Sequence, residues 1–296
     1  MKLAFETIGV IGKKNDNPKL KESLVALAGH LAAKNVRLLL DESSADSVAG
    51  SQWQLLDRKA LIKEADLIVV IGGDGTFLDA ARSIGEQAKP MLGINRGRLG
   101  FLVDILPEKM LPALDEILLG HYQKEDRFLL QGQVIRGGQQ IYCSHALNDV
   151  VTNKRDVARM IEFSTYINGR YISNHRADGL IVATPTGSTA YALSSGGPVV
   201  QPWLEAMVLV PICPHTLSDR PVVVDSNSEI EIEISQRSSN PVQVTWDGQE
   251  SLSLEPGDRL RVRRSPFNLN LIHPLDYDYF TILRNKLHWG GDHHLR

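Results

Sequence analysis

Ile68-Val69-Val70-Ile71-Gly72-Gly73-Asp74-Gly75-Thr76 decides how the first part of this chain folds. It opens with Val and Ile residues in an unbroken run, without polar alternation. Such a run reads as a strand buried on both faces of a parallel sheet. Phe77, Leu78, Ala80, Ala81 and Ile84 follow at helical spacing. A carboxylate among glycines therefore stands at the carboxyl end of a strand and just before a helix N-terminus, where open α/β sheets bind ligands. The helix dipole and its first N–H groups favour an anion there. Glycines let a phosphate approach the backbone, because no Cβ intervenes. The competing reading of Gly-Asp-Gly is an ordinary tight turn whose Asp caps the next helix. The flanking strand and helix favour phosphate chemistry.

Moving outward, Thr7 to Gly12 reads as a first strand. Asn17 suits an N-cap and Pro18 a first helical position, and Leu20, Leu24, Leu27 and Leu31 then recur at helical spacing. Val36 to Leu40 is a second strand, and Leu55, Leu56, Leu61 and Ile62 suggest a short helix before the buried run. Pro90 to Asn95 is a further strand, followed by a second glycine-rich loop, Arg96-Gly97-Arg98-Leu99-Gly100-Phe101. Leu111, Leu114 and Leu118 form a helical stripe that stops at Gly120, in the position of a C′ glycine. Strands alternating with helices predict a parallel α/β, Rossmann-like domain over residues 1–125.

The pattern changes at Phe128. To about Ile272, β-rich runs dominate: Leu129 to Ile135, Met160 to Ile167, Leu180 to Thr184, Pro221 to Val224, Glu229 to Ile234, Val242 to Trp246 and Arg259 to Val262. Asn168-Gly169 and Asp247-Gly248 are hairpin signals, and Glu255-Pro-Gly-Asp258 is another turn. Arg259, Arg261 and Arg263 alternate with apolar residues, as on the wet face of a strand. Residues 126–272 are thus expected to form a mostly antiparallel all-β domain. Tyr279, Leu283 and Leu287 return to helical spacing, so 273–296 is expected to pack back on the first domain, with the end from Gly290 frayed.

Composition narrows the function classes. The chain has 296 residues, 32 basic against 35 acidic, for a net charge of −3. No basic surplus or block calls for a nucleic-acid partner. No apolar run is long enough for a membrane span, and the N-terminus lacks the apolar core of a signal peptide. Cys143 and Cys213, far apart, read as reduced thiols of a cytoplasmic protein.

Several places can carry chemistry. Asp74 is the candidate general base: a carboxylate near a hydroxyl can accept its proton as that oxygen attacks phosphorus. Thr76 reads either as a ligand contact or as a first-turn helix residue. Asn148-Asp149, at a strand edge, suits a base or ribose, or else an Asx turn. Arg176-Ala-Asp178-Gly179 leads into an apolar run and then Thr184-Pro-Thr-Gly-Ser-Thr-Ala-Tyr-Ala-Leu-Ser-Ser-Gly-Gly-Pro198. Small residues there expose N–H groups and hydroxyls to a polar ligand; a flexible linker has similar composition. Tyr191, Leu193 and the preceding apolar strand favour a binding loop. Cys213 and His215 have no second pair to complete a zinc set, His293 and His294 carry no signal, and Ser188 is not in a nucleophile elbow. Gly9 to Gly12 does not continue into a dinucleotide fingerprint, and no P-loop motif occurs.

Taken together, Gly72 to Thr76, Gly93 to Phe101, Asn148-Asp149, Asp178 to Tyr191, Gly196 to Pro198 and Pro214 to Leu217 resemble the bacterial NAD kinases along nearly the whole chain. Gly-Gly-Asp-Gly by itself is shared with lipid and sugar kinases; the long run from Asp178 to Tyr191 carries the specificity. The resemblance implies transfer of the γ-phosphate of ATP to the adenosine-ribose 2′-hydroxyl of NAD, with Asp74 as proton acceptor. It implies NAD contacts from Asp74, Gly75, Asn148, Asp149, Arg176 and Asp178, and from Thr189, Ala190, Tyr191, Ala192, Leu193 and Ser194. Arg159 stands where relatives have a basic residue, often His, and Gln249 follows the Asp-Gly hairpin at a contacting position. Asp149 is one methylene shorter than the Glu of many relatives. A divalent cation, Mg2+ or Mn2+, would come with the ATP phosphates. A homo-oligomer, dimer or tetramer, is also implied. The rival expectations are a lipid or sugar kinase sharing the Gly-Gly-Asp-Gly loop, and a non-catalytic NAD(P)-sensing module.

Overall fold

The computed structural model describes residues 3–12, 18–44, 53–96, 100–155, 159–237 and 240–289. Expectations placed on Asn17, on Gly97, Arg98 and Leu99, and on the tail from Gly290, with His293 and His294, lie outside the described residues. The chain divides into two units, one of residues 1–126 with 269–296 and one of residues 127–268.

The first unit opens with β1 (Thr7–Gly12), α1 (Pro18–Ala33), β2 (Arg37–Asp41) and β3 (Gln54–Leu56). It continues with α2 (Arg58–Glu64), β4 (Leu67–Ile71), α3 (Asp74–Ile84), β5 (Met91–Ile94) and α4 (Met110–Leu118). The strands lie in the order β3-β2-β1-β4-β5, and their pairings are parallel. Every residue of β4 is buried, as an unbroken Val/Ile run requires. The leucine stripe of α1 is fully buried with Val10, Val69 and Leu92 in one core. At Gly9 an added Cβ would stand 2.6 Å from Leu61 Cδ2 and 2.9 Å from Ala65 Cβ, so glycine lets α2 close onto β1. One expectation is corrected: Leu55 and Leu56 belong to β3, paired with Leu40 and Asp41. The helix begins only after Asp57, whose side chain accepts from the N–H groups of Lys59 and Ala60 and so caps α2.

Next in chain order are β6 (Gln123–Arg136), β7 (Gln139–Ala146), β8 (Asp149–Lys154), β9 (Ile161–Ile167), β10 (Arg170–Ala177) and β11 (Gly179–Ala183). The short helix α5 (Tyr191–Ser194) precedes β12 (Ala206–Ile212), β13 (Val222–Asp225) and β14 (Ile230–Ile234). Then come β15 (Val242–Trp246), β16 (Glu250–Leu254) and β17 (Arg259–His273). In the second unit a six-stranded sheet has the order β13-β12-β11-β8-β15-β16, and β10, β9, β14 and β17 are consecutive neighbours in another. The pairings are antiparallel. Phe163, Val182, Ile232, Trp246 and Leu260 are among the buried residues of the core. The alternating arginines do face outward across β14: Arg259 meets Glu231 and Glu233 at 3.4 and 3.5 Å, and Arg261 meets Glu229 and Glu231 at 3.3 and 3.4 Å.

The end of β17 returns to the first unit, where Leu271 pairs in parallel with Met91 of β5, and α6 (Tyr279–Leu287) follows. His273, 4% exposed, sits between two carboxylates: Nδ1 is 2.8 Å from Asp104 and Nε2 is 3.3 Å from Glu125. Tyr277 stacks on its ring at 3.8 Å. Burial disfavours the charged ring, but the two carboxylates outweigh it and raise the pKa above the ordinary 6.5. A group whose folded pKa is raised contributes stability that is complete below the unfolded pKa and is lost as pH rises through the folded one. The melting temperature should therefore fall as pH rises above 6.5, and His273→Asn should flatten that decline. An unchanged pH slope of the melting temperature in the variant would refute the linkage.

Candidate active site

Two places in the fold gather the chemistry-bearing residues, one in each unit. In the first, β4 ends at Ile71 and Asp74 opens α3 behind the N-cap Gly73. A carboxylate in the first turn complements the helix dipole. One oxygen of Asp74 accepts from the N–H of Phe101 and the other from the N–H of Leu102, each at 3.2 Å. A Cβ at Gly100 would overlap Asp74 Oδ1, so glycine is what lets this segment close on the carboxylate. The segment is itself fixed: Asn95, buried, donates from Nδ2 to Val103 O at 3.2 Å, and Gly100 N–H donates to the same carbonyl at 3.1 Å. The backbone of Phe101 and Leu102 thus acts on the carboxylate that opens α3. Thr76 lies in the first turn of α3, and a Cβ at Gly72 would be 2.7 Å from its Cβ and Oγ1. Gly75 follows Asp74 in the same turn.

In the second unit, a cavity of about 390 Å3 is lined by Asn148, Asp149, Val151, Asn153, Ala190, Tyr191, Thr245, Asp247 and Gly248. Asp149, Val151 and Asn153 alternate along β8, so their side chains share one face. The backbone at the head of β8 is held from two sides. Thr184 donates from N–H to Asn148 O at 2.9 Å and from Oγ1 to Leu147 O at 2.5 Å. A Cβ at Gly187 would overlap the Asn148 carbonyl. On the other side the Asp247 carboxylate accepts from the N–H groups of Leu147, Asn148 and Asp149 at 2.9, 2.7 and 3.1 Å. The Thr184 to Pro198 run is a folded turn and helix, not a linker: Ser188 Oγ donates to Pro185 O at 2.6 Å and accepts from Val200 N–H at 2.9 Å.

The electrostatics of this cavity are acidic. Asp149 is 5% exposed, and burial together with the Asp247 charge pushes its pKa up to about 7. Burial also raises the Tyr191 phenol, with Cys213, Asp178 and Asp149 adding to the effect. Asp178 itself pairs with Lys154 at 2.7 Å.

Of the residues singled out from sequence, Asn148, Asp149, Ala190 and Tyr191 line this cavity. The others do not. Arg176 pairs with Glu162 at 3.1 Å, and Arg159 is exposed ahead of β9. Gln249 closes the turn after Gly248, its N–H donating to Trp246 O at 3.0 Å. Thr189 Oγ1 donates to Thr186 O at 3.1 Å. Ala192 is fully buried with Val208 and Val210, and Leu193 and Ser194 complete α5. Asp74 and Gly75 belong to the first unit. Val151, Asn153, Thr245 and Asp247 were not singled out as site residues. Strand alternation from Asp149 leads to Val151 and Asn153, whereas the local pattern marks Asp247 only as a turn.

Residues 9–122 match the ATP-NAD kinase N-terminal domain and residues 147–274 the ATP-NAD kinase C-terminal domain. The NAD kinase of Nitrosococcus oceani is 49% identical over 97% of both chains. That of Marinobacter nauticus is 45% identical over 97% of this chain and 98% of its own. Among solved structures, an NAD kinase from Archaeoglobus fulgidus in complex with ATP aligns with a TM-score of 0.73 at 27% identity, over 95% of this chain and 97% of that one. Yeast NADH kinase complexed with NADH shares the fold, with a TM-score of 0.89 at 24% identity over 98% of this chain and 90% of that one. Matches of this extent and identity place the chain in the ATP-NAD kinase family.

Proposed function

We propose that this chain transfers the γ-phosphate of ATP to the 2′-hydroxyl of the adenosine ribose of NAD, giving NADP and ADP, with Asp74 as the proton acceptor. What carries the assignment of the base is the setting of Asp74. Its carboxylate opens α3 and is held in place by two backbone N–H groups, yet each oxygen keeps a lone pair for a hydroxyl proton. Phosphoryl transfer asks little covalent chemistry of a protein; it asks for positioning and charge stabilisation. Glycine backbone and a helix amino end suit phosphate oxygens. On family resemblance the divalent cation, Mg2+ or Mn2+, is assigned to the ATP phosphates, where it would neutralise developing charge.

The NAD side of the reaction is assigned to the second unit. Asn148 and Asp149 would take ribose hydroxyls, for which an amide and a carboxylate are suited acceptors. Tyr191, 43% exposed, offers a flat ring to a base. Ala190 borders the same cavity. Arg159, Arg176, Asp178, Gln249 and the rest of the segment from Thr189 to Ser194 are kept as dinucleotide contacts on family resemblance. Reduced Cys143 and Cys213 accord with the cytoplasm. The exposed valines of β13, Val222 and Val223, at one edge of its sheet, accord with a homo-oligomer, dimer or tetramer.

Incubated with NAD, ATP and Mg2+, the folded protein should form NADP, measured by a dehydrogenase-coupled assay. No NADP from folded protein would refute the activity, and thermal protection by a lipid or sugar phosphate but not by NAD would favour the rival kinases. Dinucleotide binding without phosphate transfer would favour the sensing module. Asp74→Asn should lower kcat by about 10²- to 10⁴-fold with NAD binding retained. Near-normal turnover of that variant would remove Asp74 from the role of base.

A further inference from the structure

The turn between β15 and β16 does more than reverse the chain. Asp247 and Gly248 both adopt left-handed backbone, with φ of 52° and 63°, and Gln249 N–H donates to Trp246 O at 3.0 Å. This conformation turns the Asp247 side chain back toward the head of β8. Its carboxylate receives three successive N–H groups, those of Leu147, Asn148 and Asp149. Its own N–H donates to Asp149 O at 3.0 Å. Successive N–H groups converging on one anion form a nest, which here is filled from within the chain. With Thr184 bonded to the carbonyls of Leu147 and Asn148, the backbone of 147–149 is saturated on both sides. The side chains of Asn148 and Asp149 remain for the cavity that they line.

We propose that Asp247 is a positioning residue for the acceptor site: it wraps the 147–149 backbone around its carboxylate and so fixes where the Asn148 and Asp149 side chains stand. The proposal rests on reading this cavity as part of the NAD site. Charge gives it a second consequence. Asp149 and Asp247 line the same cavity as Tyr191 of α5, whose phenol also feels the charges of Asp178 and Cys213, and Asp178 pairs with Lys154. Burial and the Asp247 charge together hold Asp149 near a pKa of about 7. Ionised Asp149 accepts ribose hydroxyls at both oxygens, so NAD binding should weaken as pH falls through that value. Removing the Asp247 charge removes one of the two causes of the raised pKa, and the acidic limb should move to lower pH.

Steady-state kinetics of the full chain test this. Asp247→Asn keeps the shape but loses the charge, and turns an amide N–H2 toward N–H donors. KM for NAD should rise about tenfold or more, KM for ATP should stay within about twofold, and the acidic limb of kcat/KM for NAD should move down in pH. Asp247→Glu restores the charge but not the reach, so KM for NAD should stay raised while the limb stays near that of the unsubstituted chain. An Asp247→Asn variant with unchanged KM for NAD and an unmoved limb would overturn the proposal. Asp149→Asn, assayed in parallel, separates the two levels of inference. If it leaves KM for NAD unchanged, the cavity is not the NAD site. If it raises KM while Asp247→Asn does not, only the positioning role fails. Should Asp247→Asn not fold, Asp247→Glu decides: a raised KM for NAD with KM for ATP unchanged supports the proposal, and an unchanged KM for NAD overturns it.

Discussion

A strand covered on both faces has no place for a polar side chain, and β4 is such a strand, buried from Leu67 to Ile71. The apolar cost of exposing it and the desolvation cost of interrupting it push every polar group to its ends. The carboxyl end is where the chain must leave the sheet, and it does so through glycines into α3. Asp74 stands there because the interior excludes it and the amino end of a helix accepts it. Neighbouring strands repeat the arrangement: β5 ends at Ile94, and the segment after it supplies the N–H groups that Asp74 accepts. The layout of the first unit thus follows from the burial of one strand.

The second unit solves a different problem, since its antiparallel sheets offer no such shared end. Its cavity is built at the head of β8, where the backbone of 147–149 is gripped by the side chain of Asp247 and by Thr184. Asp247 accepts three backbone N–H groups. Its negative charge, beside a buried Asp149, makes that neighbour hard to ionise. One carboxylate therefore serves as a structural anion, while the other is left poised near neutrality. Two acids of the same type are separated in behaviour by what surrounds them.

Local pattern carried much of the fold class. The leucines of α1, the apolar run of β4 and the stripe of α4 are periodicities within one element, and each element buries that stripe. The alternating arginines of β17 likewise signalled a wet face, which Glu229, Glu231 and Glu233 cover. Where the pattern misled, a neighbour had intervened. Leu55 and Leu56 look helical beside Leu61 and Ile62, but β2 recruits them as an edge strand and Asp57 starts the helix after them. The strands β7 and β12 escaped the sequence reading, β8 is marked only as a strand edge at Asn148-Asp149, and β10 and β16 are signalled only by the hairpin turns before them. In β10 and β16 the reason is visible: their residues are largely exposed, so the apolar alternation is weak.

The sequence by itself determined what can be read from spacing along the chain: a parallel α/β region, an antiparallel β region, and a carboxylate among glycines at the end of a buried strand. It also carried the long run from Asp178 to Tyr191 by which the family is recognised. Only the tertiary structure decided which polar groups meet. That Asp74 is bonded by Phe101 and Leu102, and that Asp247 closes on Leu147, Asn148 and Asp149, depends on contacts between residues far apart in sequence. Side-chain periodicity reports which face of an element is buried. It carries no information on which distant backbone N–H will satisfy a given carboxylate, because that partner is chosen by packing.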